Sequence, residues 1–260
     1  METLLPNSFE TIDVSSVSTE ETPLIGTPPL MYTDNPEPPL KIELSPPVTE
    51  ISKECTIIIF DWDDTIMCST FMEQDNITLH SESIMVHKHW EELDKLSKSA
   101  IDIITISKTF GEVVIITNAE EGWVQLSAQK FMPELIPILK TIRIFSARTS
   151  YQNAYPENPY MWKYMTMKSL LDSKVYNEDD KKNIISFGDS LVERSSLMNV
   201  TKKMKNTLPK SVKFSERSSI DSLRRQLDLL KNSMKYVTEF NGPLDLHLKV
   251  NIESMKNDIH

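Results

Sequence analysis

Residues Ile57–Ile66 read IIIFDWDDTI, four large apolar residues followed by three aspartates within four positions. The run Thr56–Phe60 is unbroken and rich in β-branched residues, the pattern of a strand covered on both faces. Asp61, Asp63 and Asp64 at its end would repel one another, and apolar surroundings raise the cost of ionising them further. A bound cation would relieve both costs.

Further apolar runs follow at intervals. Val113–Ile116 (VVII), Ile142–Phe145 (IRIF) and Ile184–Phe187 (IISF) read as strands, with Val212–Phe214 as a fifth. Between them lie stretches with helical patterning. His80 to about Thr109 carries an apolar stripe through Ile84, Trp90, Leu93 and Leu96. Glu120–Phe131 reads as a helix with two acids in its first turn, where the helix dipole favours them. Pro133 and Pro137 interrupt what comes next; Tyr160–Leu171 and the segment bearing Ile220, Leu223, Leu227 and Leu230 are further helices. Strand–helix alternation of this kind predicts an α/β fold, a three-layer Rossmann-like parallel sheet flanked by helices. After the turn Asn241-Gly242-Pro243, Leu244, Leu246, Leu248, Val250 and Ile252 alternate with polar residues, as in a half-buried strand that either adds to the sheet edge or forms an oligomer contact.

Open α/β sheets bind ligands beyond the carboxyl ends of their strands. There the first strand delivers Asp61, Asp63, Asp64 and Thr65, and the second delivers Thr117 and Asn118. The third delivers Ser146 and Arg148, with Lys163 opening the next helix, and the fourth delivers Gly188, Asp189 and Ser190, with Glu193 one turn on. Carboxylates from two strand ends suit a hard, oxygen-loving cation such as magnesium.

In this order the residues resemble the haloacid dehalogenase-like superfamily, in the branch marked by FDWDDT. Asp61, Asp63 and Thr65 match its first motif, Thr117 its second, Lys163 its third, and Asp189 with Glu193 its fourth. The resemblance spans roughly residues 55–215. It implies a magnesium-dependent phosphohydrolase in which Asp61 attacks phosphorus and Asp63 serves as general acid and base. Thr117 and Lys163 would engage the phosphoryl group. Asp61, the Asp63 carbonyl, Asp189 and Glu193 would serve the Mg2+ site, Glu193 through a bound water. Arg148 and Lys168 are alternatives to Lys163 as the basic residue. A silent scaffold on the same fold, or a phosphotransferase, are the competing functions. The spacings Thr65–Thr117 and Thr117–Lys163 leave room for a small cap at most, and hence for an open site admitting bulky phosphorylated substrates.

Residues 1–53 read differently from the rest. Nine of the 15 prolines lie there, and residues 1–54 carry ten acids against Lys41 and Lys53, leaving the remaining chain near −2 of the total −10. Such a stretch buries too little apolar surface to offset its ordering entropy and reads as a disordered, acidic tail able to recruit a protein partner. Residues 54–260 form the expected phosphatase domain, with 215–260 adding a helix and a strand. A near-neutral domain argues against bulk nucleic-acid binding. No run of about 18 apolar residues predicts a membrane span. Two cysteines and an N-terminus unlike a secretory signal place the protein in the cytoplasm.

Overall fold

The computed structural model describes residues 10–11, 51–80 and 87–248. The expected parallel sheet is present. Its strands are β1 (Thr56–Phe60), β2 (Glu112–Thr117), β3 (Arg143–Ser146), β4 (Lys182–Gly188), β5 (Thr207–Lys213) and β6 (Leu244–His247). They lie in the order β6-β5-β4-β1-β2-β3, all parallel, so β1 and β4 are central neighbours. Within the stretch read as a tail, Glu10–Thr11 adds a two-residue parallel strand outside β6. The rest of residues 1–50 lies outside the described residues, as do Ile84, Val250 and Ile252.

The helices are α1 (Ser69–Gln74), α2 (Trp90–Phe110), α3 (Trp123–Phe131), α4 (Ile136–Leu139), α5 (Ala147–Tyr151), α6 (Pro159–Asp172), α7 (Leu191–Thr201) and α8 (Ile220–Glu239). Side chains alternate across a strand, so β1 feeds two separate cores. Ile58 and Phe60 pack with β4 residues Ile185 and Phe187 and with α2, α3 and α8 on one face. Ile57 and Ile59 pack with Ile184, and with Trp162 and Leu170 of α6 and Leu197 of α7, on the other. Full burial of each such side chain contributes about 1.5–3 kcal/mol, which explains why β1, β2 and β4 are nearly continuous in apolar residues.

Two expectations are corrected. The acids Glu120 and Glu121 precede α3 rather than opening it, because Gly122 at φ 89° takes a left-handed conformation and the helix starts only at Trp123. The fifth strand is longer than its apolar end: it begins at Thr207 and includes Pro209 and a fully buried Lys210. Between Thr65 and Lys163 the described residues are used by sheet-flanking helices and strands β2 and β3, with no inserted domain among them.

Candidate functional site

The carboxyl ends of β1 and β4 sit side by side, with Phe60 in register with Phe187 and the Asp61 amide donating to the Phe187 carbonyl at 2.9 Å. Asp61 and Asp189 therefore leave the sheet together. After Asp61 the chain turns sharply. Asp64 adopts a left-handed backbone (φ 52°), a region in which Asp is more at ease than most residues. Its amide donates to the Met67 carbonyl at 2.6 Å, and its carboxylate accepts from the Thr70 amide at 3.1 Å.

Helix α7 brings in Glu193. Ser190 is the N-cap: its hydroxyl accepts from the Val192 amide at 3.1 Å and donates to Glu193 Oε2 at 2.5 Å, while its own amide donates to the same oxygen at 3.0 Å. This capping box folds Glu193 back toward the strand end and buries it. Gly188 makes the fold-back possible, since a Cβ there would lie 2.2 Å from Glu193 Cγ.

Helix α6 brings in Lys163. The Asn158 side chain caps its first turn by accepting from the Met161 amide at 3.1 Å, and Pro159 occupies the start, where no amide donor is needed. Asn118 ties the end of β2 to this helix by donating to the Pro159 carbonyl at 3.2 Å. Lys163 is 1% exposed, its Nζ lies 2.9 Å from Asp61 Oδ1, and it donates to Glu193 Oε1. The Asp61 contact is an ion pair without hydrogen-bond alignment.

One carboxylate oxygen from each of Asp61, Asp189 and Glu193 lies within 4.8 Å of the others, a set that could hold a metal ion. The charges are balanced against burial. Desolvation pushes the Asp61 carboxyl well up despite Lys163, and pushes Asp189 up to about 7, with Glu193 and Asp64 adding repulsion. Burial also opposes ionisation of Glu193, but Lys163 and the Ser190 hydrogen bonds outweigh it and hold that carboxyl low. Lys163 keeps its charge above the ordinary lysine range: burial alone would strip it, and Asp61 and Glu193 reverse that. Glu193 and Lys163 thus neutralise each other, leaving Asp61 and Asp189 short of positive charge. Three oxygen donors around that deficit fit a hard cation.

Asp63 faces a different way. Its carboxylate accepts from Trp123 Nε1 at 2.9 Å and from the Thr117 hydroxyl at 3.3 Å, and Thr117 in turn accepts from the Ala119 amide at 3.0 Å. The structure thus gathers Asp61, Lys163, Asp189 and Glu193 in one cluster and joins Asp63 to Thr117 beside it. Thr65 is buried, and its hydroxyl has no hydrogen-bond partner among the described residues. The alternative bases lie elsewhere: Arg148 is half-exposed against Glu120 and Gln152, and Lys168 pairs with Asp172 on the surface. Trp62 packs in the core and donates to the Ser127 hydroxyl at 3.0 Å. Trp123 was not foreseen as a partner of Asp63, because no local pattern marks a contact between residues sixty positions apart.

Fold and site together define an α/β Rossmann-like protein with a buried acidic centre at the carboxyl edge of its sheet. Comparison with protein-family models, curated proteins and solved structures returns no match. No described helix is long and apolar enough to cross a membrane.

Proposed function

We propose that this chain is a magnesium-dependent phosphatase of the haloacid dehalogenase-like type, acting through an aspartyl-phosphate on Asp61. The observation that carries the reading is the pairing of two acids from one strand end with two environments. Asp61 sits with Lys163, Asp189 and Glu193, whereas Asp63 is held by Thr117 and Trp123. A nucleophile needs its charge kept and a phosphoryl group beside it; a general acid needs separation from that charge.

Magnesium bound by Asp61, the Asp63 carbonyl and Asp189, with Glu193 behind it, would neutralise carboxylates and phosphate together. Lys163 orients Asp61 and offers positive charge to the phosphoryl oxygens. Thr117 offers its hydroxyl to the same oxygens. Asp61 Oδ bonds to phosphorus as the ester P–O bond breaks, and Asp63 gives its proton to the departing oxygen. Water then attacks phosphorus, Asp63 takes its proton, and inorganic phosphate and free Asp61 result. General acid–base help of this kind contributes about 10²–10⁴-fold. Two free, buried cysteines support a reducing compartment, the cytoplasm, as its location.

Phosphate release from a generic aryl phosphate, with and without magnesium, tests the reading beside Asp61→Asn. Magnesium-dependent release by the wild type alone supports it; equal release by both proteins removes Asp61 from the reaction.

A further inference from the structure

A cavity of about 570 Å³ opens beside the acidic centre, and Asp63 is one of its walls. That volume lies within the range of about 300–1,000 Å³ typical of sites for organic ligands, and far exceeds the needs of a phosphate ion. Helix α1 and the loop after it supply Met72, Ile77 and Leu79; α3 supplies Trp123 and Phe131; Met67 completes the apolar lining. Trp123 belongs to both places, since its ring lines the cavity while its Nε1 holds Asp63 Oδ1 at 2.9 Å. The group that gives a proton to the departing oxygen therefore stands at the wall of the space into which that oxygen would carry its substituent.

The chemistry of the wall restricts the substituent. Among the described residues no lysine or arginine lines the cavity; its ionisable side chains besides Asp63 are the exposed Glu73 and His80. A leaving group bearing further phosphates or carboxylates would find no fixed cation among these residues, only the exposed His80 as a polar partner, and would be repelled by Glu73. An uncharged alkyl or aryl group would instead cover the partly exposed Leu79 and Trp123 and pack against the buried Met67, Met72, Ile77 and Phe131 behind them.

Resting on the phosphatase reading, we infer that this cavity is the leaving-group site, and that the substrate is the phosphate monoester of an apolar alcohol or phenol. Cleavage proceeds as above: the P–O ester bond breaks as Asp61 bonds to phosphorus, the alcohol departs into the cavity with the proton of Asp63, and water regenerates both acids.

The test uses the full chain with magnesium and a series of n-alkyl phosphates from propyl to octyl. Phenyl and 2-naphthyl phosphates form a second arm, and a nucleoside monophosphate serves as charged comparator. Burial of each added methylene raises kcat/KM about fourfold until the cavity is filled, 2-naphthyl exceeds phenyl, and Leu79→Glu flattens both trends. Steeper gains in the alkyl arm identify an aliphatic substrate; steeper gains in the aryl arm identify an aromatic one. Phosphate release that is insensitive to chain and ring size, or fastest with the nucleotide, overturns the inference while leaving the phosphatase reading intact. If no ester is cleaved, the phosphatase reading fails. Titration of 2-naphthol against the intrinsic tryptophan fluorescence then decides the cavity separately. Saturable binding that Leu79→Glu weakens at least tenfold supports an apolar ligand site, and absence of binding overturns it.

Discussion

Lys163 Nζ stands 2.9 Å from Asp61 Oδ1 while donating to Glu193, so one buried ammonium spans the ends of two neighbouring strands. The nucleophile candidate from β1 and the helix-cap acid from α7 are held by the same cation. Removing one member of such a group leaves the others buried and unpaired.

Lys163→Met should therefore destabilise the metal-free protein by about 3–5 kcal/mol, the usual cost of breaking a buried ion pair from one side. Urea denaturation in a chelating buffer measures it. Magnesium should recover part of the loss, because it supplies positive charge to the same acids. A loss under 1 kcal/mol would mean that solvent already screens the cluster.

Asp189 gives a pH dependence of definite sign. Its carboxyl is pushed from the ordinary 3.8 up to about 7, chiefly by burial. The folded state thus holds this proton more tightly than the unfolded one. The penalty for ionising it is absent below pH 4, grows as pH rises, and is complete above pH 7. Asp189→Asn should stabilise the metal-free protein by about 1–3 kcal/mol at pH 7.5 and by almost nothing at pH 4. With magnesium the order reverses at pH 7.5, since only the wild type offers all three carboxylates. Thermal melts of both proteins at the two pH values, with and without magnesium, check each part.

Gly188→Ala should push Glu193 out of its capping box, since the added Cβ would fall 2.2 Å from Glu193 Cγ. Overpacking of this kind costs about 1–3 kcal/mol. A misplacement of about 1 Å at a reacting group costs about a hundredfold in rate. In a Glu193→Ala background, Gly188→Ala should cost no further stability, because the clash is gone, while that background itself stays less stable than the wild type and inactive, because Lys163 has lost its buried partner. Wild-type stability and activity in the double variant would show that Glu193 has no part in the site.

Away from the site, Lys210 in β5 is fully buried and donates to the Thr238 carbonyl at 2.8 Å, with no acid paired to it among the described residues. Burial lowers it to about 8. Here the unfolded state binds the proton more tightly, so the cost is complete below pH 8 and disappears as pH approaches 10.5. Lys210→Met should stabilise the protein by about 1–2 kcal/mol at pH 7, less the lost hydrogen bond to Thr238, and the gain should shrink by pH 10. Urea midpoints at the two pH values test this.

How much of this could be read from the sequence depended on what each residue had to satisfy locally. Thr56–Phe60, Glu112–Thr117 and Lys182–Gly188 are central strands, buried on both faces, and their apolar runs announce them. Strand β5 hides behind Pro209 and Lys210, because its neighbours in the sheet, rather than its own composition, hold it extended. The start of α3 was misplaced because Gly122 stops the helix short of two acids that look well suited to its first turn. At the site, Asp61, Asp189 and Glu193 were legible as strand-end acids, whereas Lys163 and Arg148 come from helices packed in the same core, and the choice between them depends on which side chain turns inward to Asp61. The hold of Trp123 on Asp63 is a tertiary contact and leaves no trace in local spacing.

The most direct test of the central claim is where phosphorus goes. The full chain is mixed with magnesium and an aryl phosphate whose leaving group departs without a proton, quenched in acid, and mapped by peptide mass spectrometry. Asp63→Asn, which slows release of the intermediate, is run beside it. Phosphate on the peptide carrying Asp61, enriched in Asp63→Asn and absent from Asp61→Asn, is the predicted result. Turnover by Asp61→Asn at the wild-type rate, with no labelled peptide in any protein, would contradict it.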